Sequence, residues 1–138
     1  MPDQPPVTPP ANTPPVAGRK ILCIEDERFI GELYTRALTK AGYQVTLITD
    51  GQEALQAAQT NQYDIILLDL MIPNITGIEI LRKLRDPASP PTKAKIIITT
   101  NLEQREDVRA DIEKQADGYV VKAELTPHEL VEFVDRIQ

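Results

Sequence analysis

Acidic side chains stand where two apolar runs of the sequence end. Glu25 and Asp26 follow the run 20–24, and Asp69 follows the run 64–68 before apolar residues resume. A buried carboxylate is costly unless it is paired or bound to a metal. Three carboxylates at one place repel each other unless a cation lies among them, and Mg²⁺ binds through one or two carboxylates together with water and phosphate oxygens. These acids therefore predict a site for Mg²⁺ or Mn²⁺ that handles phosphate.

Two further polar residues follow later apolar runs. Thr100 comes after the run 95–99, and Lys122 comes after the run 118–121. Lys122 can pair with Asp69 and with a phosphate oxygen, while Thr100 can donate a hydrogen bond to another phosphate oxygen. Asp69 is left as the nucleophile, because carboxylates form aspartyl phosphates. Thr99 is the alternative to Thr100 if the strand is shifted by one residue.

These residues need elements that bring them together, and the sequence indicates strands alternating with helices. Five short apolar runs, mostly continuous, are typical of strands covered on both faces by helices, which predicts a parallel sheet. The predicted strands are 20–24, 44–48, 64–68, 95–99 and 118–121. The predicted helices begin near Phe29, after Asp50, near Ile78, near Glu103 and after Thr126.

Five βα units in this length predict an α/β domain with a doubly wound five-stranded parallel sheet, five helices and three layers. Right-handed crossovers place helices on both faces, and ligands gather where the carboxyl ends of the strands meet. The carboxylates, the hydroxyl and the ammonium would thus lie at one edge of the sheet.

The start of the chain differs in composition from the rest. Residues 1–17 hold seven of the twelve prolines and few bulky apolar side chains, so they are expected to form a disordered, extended leader. A docking segment for a proline-reading partner is the alternative. The predicted domain covers 18–138.

Composition excludes several classes of function. The formal net charge of -6 argues against direct binding of nucleic acid, which usually needs a basic patch. The single cysteine, Cys23, permits no disulfide within the chain and is expected in the core. No apolar stretch approaches the roughly 20 residues that would cross a bilayer, so we expect no membrane insertion and a cytoplasmic location.

The motifs together resemble the receiver domain of bacterial two-component response regulators, over Gly18 to Gln138. The resemblance implies a flavodoxin-like sheet with strand order 2-1-3-4-5. The chain ends with the fifth helix, as in a stand-alone receiver of the chemotaxis-regulator kind or a receiver cut from a larger protein. The matching residues are Glu25 and Asp26 in "CIEDE", Asp69, Pro73 and Gly77 in "LLDLMIPNITG", Thr100 in "IIITTN", and Tyr119 and Lys122 in "ADGYVVK".

The resemblance also implies roles. Asp69 would accept a phosphoryl group from a sensor histidine kinase or a histidine phosphotransfer protein, and Thr100 and Tyr119 would form a switch pair that changes a surface read by a downstream protein. The domain would catalyse only its own phosphorylation and dephosphorylation. The implied ligands of Mg²⁺ are Glu25, Asp26, Asp69 and the backbone carbonyl of Met71.

Two departures from the family pattern, and the residues at two positions that tune dephosphorylation, bear on these roles. Glu25 stands where the family commonly has Asp, which favours a water-mediated contact with the metal. Ala123 stands where proline usually follows the lysine, and a cis bond before Ala would cost about 2.5 to 4 kcal/mol; the sequence leaves open whether this bond is cis or trans. Met71 and Leu102 occupy the positions that tune dephosphorylation, and neither side chain can position an attacking water, so a long-lived phosphoryl group is expected.

Other interpretations remain open at this stage. Asp26 could be only a helix N-cap, and Tyr119 could be ordinary strand packing. The chain could be a pseudo-receiver that binds partners without phosphorylation. A haloacid-dehalogenase-like phosphatase fits poorly, because that class needs a second Asp where Met71 stands. His128 is assigned no role.

Overall fold

The computed structural model describes residues 18–101 and 104–137 of the chain. The proline-rich segment 1–17 and Leu102 lie outside the described residues, so the predictions made for them stay predictions. The strands are β1 (Lys20–Ile24), β2 (Gln44–Ile48), β3 (Ile65–Asp69), β4 (Lys95–Thr100) and β5 (Gly118–Val121). The helices are α1 (Arg28–Lys40), α2 (Gly51–Gln59), α3 (Gly77–Arg85), α4 (Glu106–Gln115) and α5 (Pro127–Ile137), with a short 3₁₀ helix at Lys122–Glu124.

The strands form one parallel sheet in the order β2-β1-β3-β4-β5. Helices α1 and α5 pack together on one face, while α2, α3 and α4 follow one another on the other. The predicted fold class, a three-layer flavodoxin-like α/β domain with strand order 2-1-3-4-5, is confirmed. The chain reverses direction across the sheet between β1 and β3, which is where such folds bind ligands.

Both faces of the central strands are buried, which explains why their sequences are continuously apolar. In β1, Leu22 and Ile24 pack toward α2 and α3, while Ile21 and Cys23 pack toward α1 and α5. Burial, followed by the charge of Glu25, raises the pKa of the Cys23 thiol to about 12. Cys23 is therefore a core residue, as predicted.

Helix boundaries follow capping chemistry. Thr126 and Glu129 form the predicted capping box of α5: the Thr126 amide donates to the Glu129 carboxylate at 3.0 Å, and the Glu129 amide donates to the Thr126 hydroxyl at 3.1 Å. The Asp50 carboxylate caps α2 through the Glu53 amide. The fourth helix begins at Glu106, later than predicted, after an extended Arg105 that makes no side-chain cap.

Phe29 was wrongly predicted to lie on the buried face of α1, since its side chain is 73% exposed. Tyr34 and Leu38 are buried. Five residues of helix correspond to a rotation of about 500°, so Phe29 is turned about 140° away from Tyr34. No helix within residues 18–101 and 104–137 has the length and hydropathy required to cross a membrane.

Candidate functional site

The predicted site residues meet at the carboxyl edge of the sheet. Asp69 and Thr100 are the last residues of β3 and β4, rather than the first residues beyond them, because both strands extend one residue further than predicted. Glu25 follows β1 directly, and Lys122 follows β5. All four side chains are buried at this edge.

The Lys122 ammonium lies between two carboxylates. Its Nζ is 3.1 Å from Asp69 Oδ2 and 2.5 Å from Glu25 Oε1, and these side chains are only 3%, 1% and 1% exposed. Both contacts are ion pairs. An ammonium carries three N–H donors, so Lys122 can still donate to a further acceptor at the site.

Each carboxylate is also fixed by a backbone amide two residues further along the chain. The Glu27 amide donates to Glu25 Oε2, and the Met71 amide donates to Asp69 Oδ1, both at 3.1 Å. One oxygen of each acid thus faces Lys122, while the other is held by the loop that follows the strand. The backbone fixes the orientation of both acids.

Asp26 completes an acidic cluster with Glu25 and Asp69. One carboxylate oxygen of each residue lies within 4.8 Å of those of the other two. Asp26 is exposed, so the cluster is open to solvent on one side. An all-oxygen donor set with an open side suits a hard divalent cation that keeps part of its water shell. A neighbouring cavity of about 330 Å³ is lined by Asp26, Leu70, Met71, Ile72, Pro73 and Thr76.

Burial and the neighbouring negative charge raise the pKa values of Glu25 and Asp26. Burial raises the pKa of Glu25 to about 7, with the charge of Asp69 adding to the shift and Lys122 opposing it. Burial and the charge of Asp69 also raise the pKa of Asp26. Burial by itself lowers the pKa of Lys122, but its contacts with Glu25 and Asp69 outweigh burial and raise it. Lys122 is therefore charged, and a further cation would stabilise the ionised acids.

Gly77 allows α3 to begin directly against the end of β3. Its amide donates to the carbonyl of Leu70 at 3.1 Å. A Cβ atom on Gly77 would lie 2.7 Å from Leu70 Cα and would overlap the carbonyl oxygen of Asp69. The Thr76 hydroxyl accepts from the Glu79 amide and caps the helix. The glycine is needed because the loop approaches the backbone of Asp69 so closely.

Thr100 and Tyr119 lie toward the same face of the sheet. Residues alternate between faces along a strand, so Thr100 shares the face of Ile98, which pairs in register with Tyr119. Thr99 pairs in register with Asp69, and both lie toward the face opposite to that of Thr100 and Tyr119. The alternation of side chains along β4 therefore favours Thr100 over Thr99 as the neighbour of Tyr119.

The Tyr119 ring has a partner that sequence reasoning missed. The guanidinium of Arg109 on α4 lies 4.5 Å from the ring centroid, within the range of a cation–π contact. Arg109 also pairs with Glu113 at 2.5 Å. No sequence signal relates Arg109 to Tyr119, because the pairing depends on how α4 docks against β5.

The structure resolves the question left open at Ala123. The Lys122–Ala123 peptide is trans, and Lys122 begins the short 3₁₀ helix. The amide of Leu125, which follows this helix, donates to the Lys122 carbonyl at 3.2 Å.

Asp26 does not cap α1, whose N-cap is Glu27 without a side-chain hydrogen bond. Met71, at the mouth of the site, is 70% exposed.

A five-stranded parallel sheet of this order, with an acidic cluster and a buried lysine at its carboxyl edge, defines the receiver class of signalling domains. The family model described as the response regulator receiver domain matches residues 21–135, and the chain belongs to that family. It is a receiver domain of the two-component signalling type.

Relatives and solved structures agree with this assignment. The response regulator ArlR of Staphylococcus aureus is 39% identical over 119 residues, which cover 86% of this chain and 51% of the relative. The chain thus spans about half the length of the curated relatives it matches. The receiver domain of the Francisella response regulator 1452 is 28% identical with a TM-score of 0.76, covering 87% of this chain and 96% of that one.

Two further structures are similar. The chemotaxis protein CheY4 of Vibrio cholerae is 28% identical with a TM-score of 0.74, covering 88% of this chain and 100% of that one. The receiver domain of the sensor histidine kinase PA1611 of Pseudomonas aeruginosa is 29% identical with a TM-score of 0.75, covering 87% of this chain and 97% of that one. That structure has a magnesium ion coordinated in its active-site cleft.

Family membership establishes the general function. Response regulator receivers are typically non-enzymatic signalling domains that histidine kinases phosphorylate, and they bind Mg²⁺ through an acidic pocket. This chain has an acidic cluster at the corresponding edge of its sheet, formed by Glu25, Asp26 and Asp69. The cytoplasmic location stays a prediction.

Proposed function

We propose that Asp69 accepts a phosphoryl group, in a Mg²⁺-dependent reaction, from a phosphohistidine on a sensor histidine kinase or a histidine phosphotransfer protein. The observation that carries this proposal is the buried contact of 3.1 Å between Lys122 Nζ and Asp69 Oδ2, beside the carboxylates of Glu25 and Asp26. A buried lysine that faces a carboxylate at a solvent-open edge is suited to balance charge on a transferring phosphoryl group.

In the proposed reaction, a carboxylate oxygen of Asp69 attacks the phosphorus atom. The P–O bond forms as the P–N bond to the imidazole breaks, and the electron pair of that bond stays on the imidazole nitrogen. The product is a mixed anhydride of Asp69. Lys122, whose three N–H donors exceed its two carboxylate contacts, donates to an oxygen of the transferred group.

The same residues fit a divalent cation. Asp26 and Asp69 are the proposed direct ligands, together with the backbone carbonyl of Met71. Glu25 would contribute through a water molecule, because Lys122 and the Glu27 amide already engage its two oxygens. Mg²⁺, when bound, offsets negative charge on the phosphoryl oxygens; Mn²⁺ has the same preference for oxygen ligands.

We further propose that Thr100 and Tyr119 transmit the phosphorylation state to a protein-binding face formed by α4, β5 and α5, which a downstream protein reads. Their common face of the sheet supports this pairing. The only reactions assigned to the domain are its own phosphorylation and dephosphorylation. We place its start near Gly18, with 1–17 as a separate proline-rich leader.

The direct test is to incubate the purified chain with acetyl phosphate and Mg²⁺ and to measure its intact mass, with Asp69→Asn as the control. We expect one phosphoryl adduct on the wild type and none on the variant or in EDTA. Failure of the wild type, under conditions that label another receiver domain, followed by failure with a panel of phosphorylated histidine kinases, would favour a pseudo-receiver that acts without phosphorylation.

A further inference from the structure

The Lys122 ammonium lies at unequal distances from its two carboxylate neighbours. Glu25 Oε1, at 2.5 Å, is closer than Asp69 Oδ2, at 3.1 Å. Lys122 carries its charge on a flexible four-carbon stem. The residues that follow it in the 3₁₀ helix, Ala123 and Glu124, are exposed. The Lys122 side chain is itself buried, and its charged end is held between these two carboxylates.

Of the two partners, only Glu25 keeps its charge in the proposed reaction. Phosphorylation would convert the Asp69 carboxylate into an anhydride, so the oxygen that faces Lys122 would change its charge and its bonding. Glu25 stays a carboxylate, and its second oxygen is held by the Glu27 amide at 3.1 Å. Glu25 is thus a fixed anchor between the backbone after β1 and the ammonium of Lys122.

We propose that Glu25 is a positioning residue, whose main task is to hold Lys122 in place for phosphoryl transfer rather than to bind the metal directly. This inference rests on the proposed function, since it assigns Lys122 to the phosphoryl group. A positioning role accounts for the length of the Glu25 side chain, because its carboxylate must reach Lys122 on one side and the Glu27 amide on the other. An aspartate, shorter by one C–C bond of about 1.5 Å, would not keep both contacts.

The test compares Glu25→Asp with the wild type at pH 8, where the acid is ionised in both. The first readout needs neither metal nor phosphate. In protein labelled with ¹³Cε-lysine and kept in EDTA, the Lys122 resonance, assigned by its loss in Lys122→Met, should show a rigid side chain in the wild type and a mobile one in Glu25→Asp. An equally rigid Lys122 in Glu25→Asp would overturn the proposal.

The second readout separates positioning from metal binding. With Mg²⁺ titrated at fixed acetyl phosphate, Glu25→Asp should lower the maximal rate of phosphorylation roughly tenfold, because a displaced catalytic group costs rate even at small distances. The Mg²⁺ concentration at half-maximal rate should change by less than about twofold, since the charge is kept. An unchanged maximal rate with a shifted Mg²⁺ requirement would mean that Glu25 is a metal ligand and would overturn the proposal.

The third readout asks whether Glu25 acts through Lys122. In a Lys122→Met background, Glu25→Asp should cause no further loss of rate, whereas independent roles would give additive losses and contradict the proposal. If the wild type is not phosphorylated at all, the proposed function fails. The ¹³Cε spectra still decide whether Glu25 holds Lys122.

Discussion

The ammonium of Lys122 lies 3.1 Å from the carboxylate of Asp69, and neither side chain is more than 3% exposed. Removing one partner of a buried ion pair costs about 3–5 kcal/mol, because the remaining charge is left uncompensated. We therefore expect Lys122→Met to lower the free energy of unfolding by about 3 kcal/mol in EDTA at pH 8, as measured by urea denaturation.

Added Mg²⁺ should recover much of this loss in Lys122→Met, because the cation supplies positive charge among the same acids. The matched control is Lys95→Met, at an exposed position at the start of β4, which should change stability by less than about 0.5 kcal/mol. A Lys122→Met protein as stable as Lys95→Met in EDTA would show that the buried pair does not stabilise the fold.

Gly77→Ala should destabilise the domain and slow its phosphorylation. The added methyl group would press on Leu70 Cα and on the carbonyl of Asp69, so the end of β3 must shift. Overpacking of this kind typically costs about 1–3 kcal/mol. Thermal unfolding measures the stability, and the rate of the acetyl phosphate reaction reports the displacement of Asp69.

Gly118→Ala is the matched control for that substitution. A Cβ atom on Gly118 would meet only the ends of the Phe133 and Ile137 side chains, which can rotate away, whereas the neighbours of Gly77 are backbone atoms. We expect the smaller loss of stability at Gly118. The reverse order would mean that the loop before α3 has room to adjust.

The stability of the metal-free protein should depend on pH through Glu25. Burial raises the pKa of Glu25 to about 7 in the folded state, whereas an unfolded glutamate titrates near about 4.3. Between these values the folded state binds more protons than the unfolded state, so the free energy of unfolding falls as pH rises through this window.

The measurement is urea denaturation in EDTA across pH 4 to pH 8 for the wild type and Glu25→Gln, which has no acid to titrate. Relative to the variant, the wild type should lose stability steadily as pH rises from roughly 4.3 to roughly 7. A constant difference between the two proteins would show that Glu25 titrates normally in the folded state.

Phosphorylation should change the surroundings of Tyr119. The ring contacts Arg109 across the gap between α4 and β5, so movement of either element alters the contact. In protein labelled with fluorotyrosine, the ¹⁹F resonance lost in Tyr119→Phe should shift when acetyl phosphate and Mg²⁺ are added. Arg109→Ala should shift the same resonance in the resting state, and Asp69→Asn should abolish the phosphorylation-dependent shift. A Tyr119 resonance unmoved in the phosphorylated wild type would remove it from the switch pair.

The sheet and its polar edge were predictable from sequence because their signals are local. A continuous apolar run marks a strand buried on both faces, and the residue at its end is read directly, as with Asp69 and Lys122. Parallel strands then place those ends together. The fold class followed from the alternation of strands and helices.

Other features depend on distances that sequence patterns do not contain. Phe29 fitted an apolar periodicity, but the face of α1 that packs on the sheet is centred on Tyr34 and Leu38. The contact of Arg109 with Tyr119 depends on the docking of α4, and the 2.5 Å approach of Glu25 to Lys122 depends on the reach of two long side chains across the sheet edge.

The phosphoryl group on Asp69 should be long-lived, because Met71 at the mouth of the site offers no hydrogen bond to an attacking water. Met71 is 70% exposed and lines, with Asp26, the cavity beside the acidic cluster. Positioning or activation of a nucleophile by a side chain contributes about 10²–10⁴-fold to a rate, and part of that contribution is absent here.

Met71→Asn should therefore shorten the lifetime of phospho-Asp69 by at least roughly tenfold, a fraction of the full effect of such a group. The measurement is the decay of the phosphoryl adduct by intact mass after acetyl phosphate is removed, in Mg²⁺. The adduct of Met71→Leu, which also lacks a polar group, should decay at the wild-type rate. A difference in decay rate between the Leu and Asn variants would therefore report hydrogen bonding rather than side-chain size. Loss of the adduct from the wild type within seconds would mean that water is positioned without Met71, by the backbone or by the segment that contains Leu102.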